Sequence, residues 1–345
     1  MTAENTDYRD TKKFLGLRPD FYLSIRWQDG AGLVCAIAYG ILAWLSVQPE
    51  FLSLWEFYAL LALSFVATLV VFGFSSVAAL TPFRILIWAL CFRVIGVLGD
   101  PLWESDFFRY LWDGYLFFEA GSPYGIAPSD FFGDGSIPEQ FRQLLARINY
   151  PNVPTIYAPT VEYTFLLGYV IAPAKIWPLQ LLYVVVDMAL ILLLLKLVSL
   201  KQADIRWVLL YAWSPLVIKE LAFTAHPDGL GAMLLVGALY GRYRQQFTLA
   251  AVALGLSVGA KVFALLLVPF VLWRMRLRYW VVFVITLLAL YGPFIWHGAS
   301  DISGLMVFAR EWQFNSSMYG VMVQWLGPLS VKLLLGFGFL VIYVR

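Results

Sequence analysis

The stretch Glu104-Ser-Asp-Phe-Phe-Arg-Tyr-Leu-Trp-Asp-Gly114 holds the residues of this chain best suited to chemistry. Read as a helix, Asp106, Arg109, Tyr110 and Asp113 fall at i, i+3, i+4 and i+7 and share one face, with Phe107, Phe108, Leu111 and Tyr115 opposite. A carboxylate such as Asp106 can take a proton from an attacking hydroxyl, and a guanidinium such as Arg109 suits phosphate oxygens. The plainer alternatives are that Asp106 favours the helix N-terminal dipole after a Ser105 cap, and that Arg109 pairs with Asp106 or Asp113. An amphipathic helix of this kind is expected at a membrane interface, aromatics toward lipid or protein and charges toward water.

The elements that must position this segment are apolar. The chain has 345 residues, 61% hydrophobic and 13% charged, where soluble proteins carry about a quarter charged residues. It reads as an all-α integral membrane protein, since a span takes roughly 20 apolar residues. Cys35 and Cys91 lie in apolar segments and give no disulfide framework or metal spacing. A net charge of +2, dictated by topology, gives no reason to expect a nucleic-acid partner.

Five basic residues in 1–29 argue for a cytoplasmic N-terminal segment over 1–30, and the first apolar helix is expected to direct insertion. About ten transmembrane helices follow, at 31–49, 54–74, 80–98, 178–199, 206–223, 228–241, 247–260, 261–273, 279–296 and 328–344. The first three occupy 31–98. Residues 99–177 then form a long outer loop with interfacial helices, its 99–160 part holding eight acids against three arginines and no lysine. The remaining spans lie in 178–345, with outer loops at 224–228 and 297–327. The apolar piece 162–175 reads as interfacial or re-entrant, because a crossing there would spoil the alternation. Basic clusters at Lys196/Lys201/Arg206, Arg242/Arg244 and Arg274/Arg276/Arg278 mark the inner side.

This layout collects the polar exceptions on the outer face. His226 and Asp228 stand at a helix end where they can orient a hydroxyl or a phosphate, or where Pro227 and Asp228 merely cap. Lys261 interrupts an apolar stretch and either attracts a phosphate or snorkels. Asp187 and Arg93, inside two spans, read as a structural ion pair. Tyr124 and Tyr157 can stack on a sugar or serve as interfacial anchors, and Asn149 and Asn315 are polar groups suited to sugar hydroxyls.

Ser105–Gly114, Gly121-Ser-Pro-Tyr124, Pro128, Ile148-Asn-Tyr-Pro151 and Thr155-Ile-Tyr-Ala-Pro159 resemble the first outer loop of GT-C superfamily glycosyltransferases. The resemblance, nearest to bacterial mannosyltransferase-like enzymes grouped in family 87, continues in Trp213-Ser-Pro215, Glu220, His226-Pro-Asp228, Lys261 and Arg310–Asn315. It implies a GT-C-like fold in a bacterial plasma membrane, with the active site on the periplasmic or extracellular side. It also implies transfer of a single sugar, such as mannose, from a polyprenyl-phosphate carrier to a glycan, lipid or protein acceptor, amid membrane lipid.

Under this resemblance Asp106 is the catalytic base. Arg109, Asp113, Tyr124, Tyr157, His226, Asp228, Lys261 and Asn315 are candidates to bind substrate or carrier. The family's loop often opens on two adjacent acids, whereas this chain has Ser105 before Asp106. Asp106 is therefore the only metal-ligand candidate, and a divalent cation (Mg or Mn) is an open question. The competing class is a polytopic transporter or flippase, for which a repeated second half would be expected.

Overall fold

The computed structural model describes residues 26–49, 52–311 and 316–344. All regular elements among the described residues are helices. The chain divides into two units, Met1–Asp301 and Ile302–Arg345.

The first unit begins with α1 (Trp27–Ser46), α2 (Leu54–Phe74) and α3 (Pro82–Val97), packed on one another. Local chemistry sets their starts. Ser53 accepts from the Glu56 amide while the Glu56 carboxylate returns to Ser53, and Thr81 caps α3 with Pro82 at its first position. Then come α4 (Phe107–Ala120), closed by Gly121 in the left-handed region at φ 73°, α5 (Glu139–Leu145) and α6 (Pro159–Ile171). Helices α4 and α6 touch so closely that a Cβ on Gly114 would stand 2.5 Å from the Phe165 carbonyl oxygen.

The long α7 (Trp177–Lys201) is followed by a broken segment: α8 (Arg206–Ala212), α9 (Pro215–Ile218), a π turn over Lys219–Phe223 and α10 (Asp228–Tyr243). The axis turns by 116° between 206–223 and 228–243. The sequence dictates the break. Pro215 and Pro227 cannot continue a helix from the preceding residue, and Ala225 takes φ 54°. Helix α11 (Phe247–Val258) runs back along α10; a 3-10 turn at Val262–Leu267, α12 (Val268–Val271) and α13 (Leu277–Trp296) complete the unit. The second unit holds α14 (Ile302–Glu311), α15 (Ser317–Leu326) and α16 (Pro328–Val344).

Among the described residues α1, α2, α7 and α13 are long and apolar enough to cross a membrane, and the bent 206–243 segment makes a fifth if it counts as one span. This is a membrane protein. The other expected spans are shorter: α3 has 16 residues and includes Arg84 and Arg93, α11 has 12, and α16 has 17. Segment 162–175 forms the 13-residue α6, short of a crossing by length.

Two buried side chains repair the broken backbone. Arg93 and Asp187, both 0% exposed, form the expected ion pair at 2.6 Å, and Tyr211 donates to the other Asp187 oxygen. Arg93 Nη1 also donates to the carbonyl of Ala212, at the end of α8, at 2.7 Å. On α7, the Gln180 amide donates to the carbonyls of Gly99 and Phe223, joining the two loops that lead into the polar region. Removing one partner of the ion pair leaves a charge without compensation. Arg93→Met is therefore expected to cost about 3–5 kcal/mol, and Arg93→Met/Asp187→Leu much less. Detergent thermal-unfolding midpoints for both variants check this; a double variant that loses as much as Arg93→Met, or more, would overturn it.

Candidate active site

The hairpin of α10 and α11 turns between residues 243 and 247, so Asp228 and Lys261, nearly equidistant from the turn, must meet at its far end. They do: Lys261 Nζ lies 2.9 Å from Asp228 Oδ1. The other Asp228 oxygen is 2.7 Å from His226 Nδ1. His226 Nε2 then faces Asp106 Oδ2 at 3.9 Å, too far for a direct hydrogen bond and wide enough for a third atom between them. Asp106 is the residue just before α4, its backbone already helical, yet its side chain caps no amide. At 41% side-chain exposure it faces open space, and the cap position falls on Asp106 itself rather than on Ser105.

Glu104 completes the front of the site. One of its oxygens accepts from the amides of Ser105 and Asp106 at 3.0 and 3.1 Å, which fixes the turn that presents Asp106. Its other oxygen lies 4.0 Å from Lys219 Nζ, and Lys219 in turn pairs with Glu220 at 3.1 Å. The π turn is what brings these two adjacent residues to the same place; such bulges recur at functional sites. Asn149 reaches across the loop to donate to Ser105 Oγ at 2.5 Å.

The electrostatics follow from this packing. Burial, then the neighbouring Glu104 charge, raises the Asp106 carboxyl above its usual range, against the lowering pull of His226, Asn149 and Arg109. Burial alone would depress His226. The Asp228 hydrogen bond and charge, with Glu220 and Glu104, outweigh that and raise it. Both groups thus move toward neutral pH, the range where acid–base work is done.

Glu104, Asp106 and His226 each offer an atom within 4.8 Å of the others'. A divalent cation holds oxygen ligands at about 2.0–2.6 Å, so two of its ligands can be about that far apart. The residues present fit such an ion, and the hydrogen bond between His226 and Asp228 is the support that metal-bound histidines usually have. The expectation that Asp106 stands alone as a metal ligand is corrected. Its second carboxylate comes from Glu104, two positions earlier rather than adjacent, because the turn at 104–106 folds the two side chains together.

Other expected residues lie behind this front. Arg109 binds both oxygens of Asp113 at 2.8 and 3.0 Å and donates to the Val153 carbonyl, so it braces the 149–158 loop. Asp113 is 1% exposed, and Tyr110 is buried in a ring cluster with Tyr157 and Phe165. The polar face of α4 therefore turns into the protein, against α6, and not toward water as an interfacial helix would place it. Tyr124 and Tyr157 are also buried, the hydroxyl of the first donating to the carbonyl of the second. They pack beneath the site and offer no open ring face. Asn315 lies outside the described residues.

Glu162 on α6 was not singled out from the sequence. It is wholly buried, accepts from Thr155 at 2.8 Å on one oxygen, leaves its other oxygen without a partner among the described residues and lies close enough to Asp113 for the two charges to interact. Lys219 went unread as well. Its signal was present, as a Lys-Glu pair inside the apolar 206–223 stretch, where a charge is costly unless it faces a cavity or partner.

Residues 30–277 match the family described as alpha-(1->6)-mannopyranosyltransferase, N-terminal domain. A segment of 122 residues is 29% identical to GPI mannosyltransferase 1 of Gibberella zeae, covering 34% of this chain and 29% of that protein. The chain thus aligns with less than a third of that relative's length. No solved structure matches.

The buried acids make a stability prediction. Burial first, then the Asp113 charge, pushes Glu162 well up, and burial raises Asp113 as well, against the lowering pull of Arg109. A carboxyl raised on folding stabilises at low pH, and that contribution is lost as pH climbs from the ordinary carboxylate range toward the raised value. Glu162→Gln should therefore flatten the loss of melting temperature with rising pH, and Asp113→Asn should lower stability near neutrality. A Glu162→Gln profile parallel to wild type would overturn this.

The match over 30–277, with an all-helical membrane architecture, places this chain in the alpha-(1->6)-mannopyranosyltransferase family, among membrane glycosyltransferases of GT-C type.

Proposed function

We propose that the enzyme transfers one mannosyl residue from a polyprenyl-phosphate carrier to an acceptor hydroxyl at the outer face of a bacterial plasma membrane. Asp106 acts as the general base. The fold is read as GT-C-like, about ten crossings with the catalytic loop at 99–177, the shorter helices serving as spans. The observation that supports the reading best is the pairing of an exposed, uncapped Asp106 with His226 across 3.9 Å, and of Lys261 behind it.

In this reaction the acceptor oxygen attacks the anomeric carbon of mannose while its proton passes to Asp106. The bond from that carbon to the phosphate oxygen breaks, and the carbon inverts. Negative charge grows on the departing carrier phosphate, and His226 and Lys261 stand where positive charge stabilises it. Asp228 holds both, fixing the imidazole orientation and the ammonium position. Arg109 and Asp113 keep the loop that carries Asn149 against the start of α4. A divalent cation held by Glu104, Asp106 and a neutral His226 would supply positive charge for the phosphate in place of the imidazolium. The acceptor is a glycan, lipid or protein hydroxyl; the family description points to a mannose 6-hydroxyl.

Asp106→Asn is expected to reduce mannosyl transfer by about 10²–10⁴-fold. Transfer from a polyprenyl-phosphate mannose by the purified enzyme is the measurement, and wild-type rates in that variant would remove Asp106 as base. Substrate movement across sealed vesicles with no new glycosidic bond would instead favour a transporter. The pH profile of kcat/KM should be bell-shaped. The rate rises with pH through the raised Asp106 value as the base ionises, and falls through the raised His226 value as the imidazolium is lost. His226→Gln should lower the rate and abolish the alkaline fall; an unchanged alkaline limb would assign it to another group.

A further inference from the structure

Helix α10 carries Asp228 at one end and Arg242 near the other, about 21 Å away. At that second end lies a cavity of about 840 Å³, and its walls hold Arg242, Arg274, Arg276 and Arg278 beside Tyr243 and Trp273. The sequence supplies no acid to match them: no Asp or Glu occurs from 229 through 300. Other arginines of this chain are neutralised, Arg206 by Asp204 and Arg84 by Asp29. Here the cations gather without a carboxylate among the described ion pairs, and a bound anion would relieve their mutual repulsion.

The cavity is built rather than incidental. Arg242 donates to the carbonyls of Val271 and Trp273, at 2.5 and 3.1 Å, tying the rim to the end of α10. Lys201 lies over the Tyr243 ring at 4.2 Å, adding a cation from α7. Arg274 sits at φ 58°, a left-handed conformation that glycine adopts freely and arginine does not. A charged side chain is held there at a conformational cost, which is typical of binding positions. Placing cations on the cytoplasmic side explains their number but not their concave arrangement or this strained residue.

We propose that this cavity binds the phosphate headgroup of an anionic phospholipid, on the side of the membrane opposite the Asp106 site. Guanidinium groups take phosphate oxygens in pairs, and basic pockets between helices at the cytoplasmic surface recognise anionic headgroups. The lipid origin of the phosphate follows from the rim. Trp273 is 61% exposed and Phe270 is 54% exposed beside the arginines, as aromatic side chains are at a membrane interface.

Lipid retention by the purified full chain, measured by native mass spectrometry after exchange into detergent with phosphatidylglycerol or phosphatidylcholine, tests this. Phosphatidylglycerol should be retained preferentially, and Arg274→Gly/Arg276→Gln should weaken that retention by about ten-fold or more. Arg274→Gly suits the left-handed backbone, so folding is preserved, as an unchanged melting temperature would verify. Equal retention of the two lipids, or unchanged retention by the variant, would overturn the proposal. Displacement of the lipid by equimolar inorganic phosphate would also overturn it, identifying a free-phosphate site.

Discussion

The structure depends on supplying hydrogen-bond partners to backbone that cannot be helical inside an apolar protein. Each unpaired backbone group away from water costs several kcal/mol, so irregular chain survives only where protein side chains or a polar cavity receive it. Arg93 meets this requirement at the end of α8, held in place by Asp187, and Thr68 donates to the neighbouring carbonyl of Trp213. Gln180 does the same for Gly99 and Phe223. These three side chains come from helices on different sides of the break. Without them the carbonyls left unpaired beside Pro215 and Pro227 would go unmet, and the turn that presents Lys219, Glu220 and His226 would lose its support.

The break helps to create a site in which acids and bases alternate except at the adjacent carboxylates of Asp106 and Glu104. From Lys261 the order runs through Asp228, His226, Asp106 and Glu104 to Lys219 and Glu220. Such a chain is self-compensating, which lets it sit partly out of water without excessive desolvation cost. The contacts between His226 and Asp106, at 3.9 Å, and between Glu104 and Lys219, at 4.0 Å, are longer than a direct hydrogen bond. At the first of these a hydroxyl, a phosphate oxygen or a cation can enter between Asp106 and His226 without displacing an existing bond. Behind it, α4 is held by Arg109, Asp113, Thr155 and Glu162, a buried polar layer that fixes helix position rather than touching the opening.

Much of this was legible in the residues themselves. Apolar length marked α1, α2, α7 and α13, and the charge-in-a-span argument paired Arg93 with Asp187. The symmetry of 228 and 261 about a short turn places Asp228 beside Lys261 for any antiparallel helix pair. The family resemblance agrees with the match over 30–277 as far as Lys261, while its Arg310–Asn315 part lies outside that match. The reading of α4 as a surface helix failed because helical periodicity reports which residues share a face, not what the face meets. Asp113 faces Glu162, 49 positions away in the chain, and no local pattern announces a buried acid pair.

The sequence by itself determined the class of protein, the apolar helices, the points where prolines stop them and the residue types available for phosphate and proton chemistry. These are local properties, set by composition, propensity and spacing. Only the tertiary structure decided which of those residues meet. Glu104 joins Asp106 through a turn, Lys219 joins them through a π turn, and Tyr124 and Tyr157 withdraw into the packing. Such meetings depend on how helices distant in sequence dock, and docking is governed by shape and by unpaired backbone groups, which a linear pattern of residue types does not record.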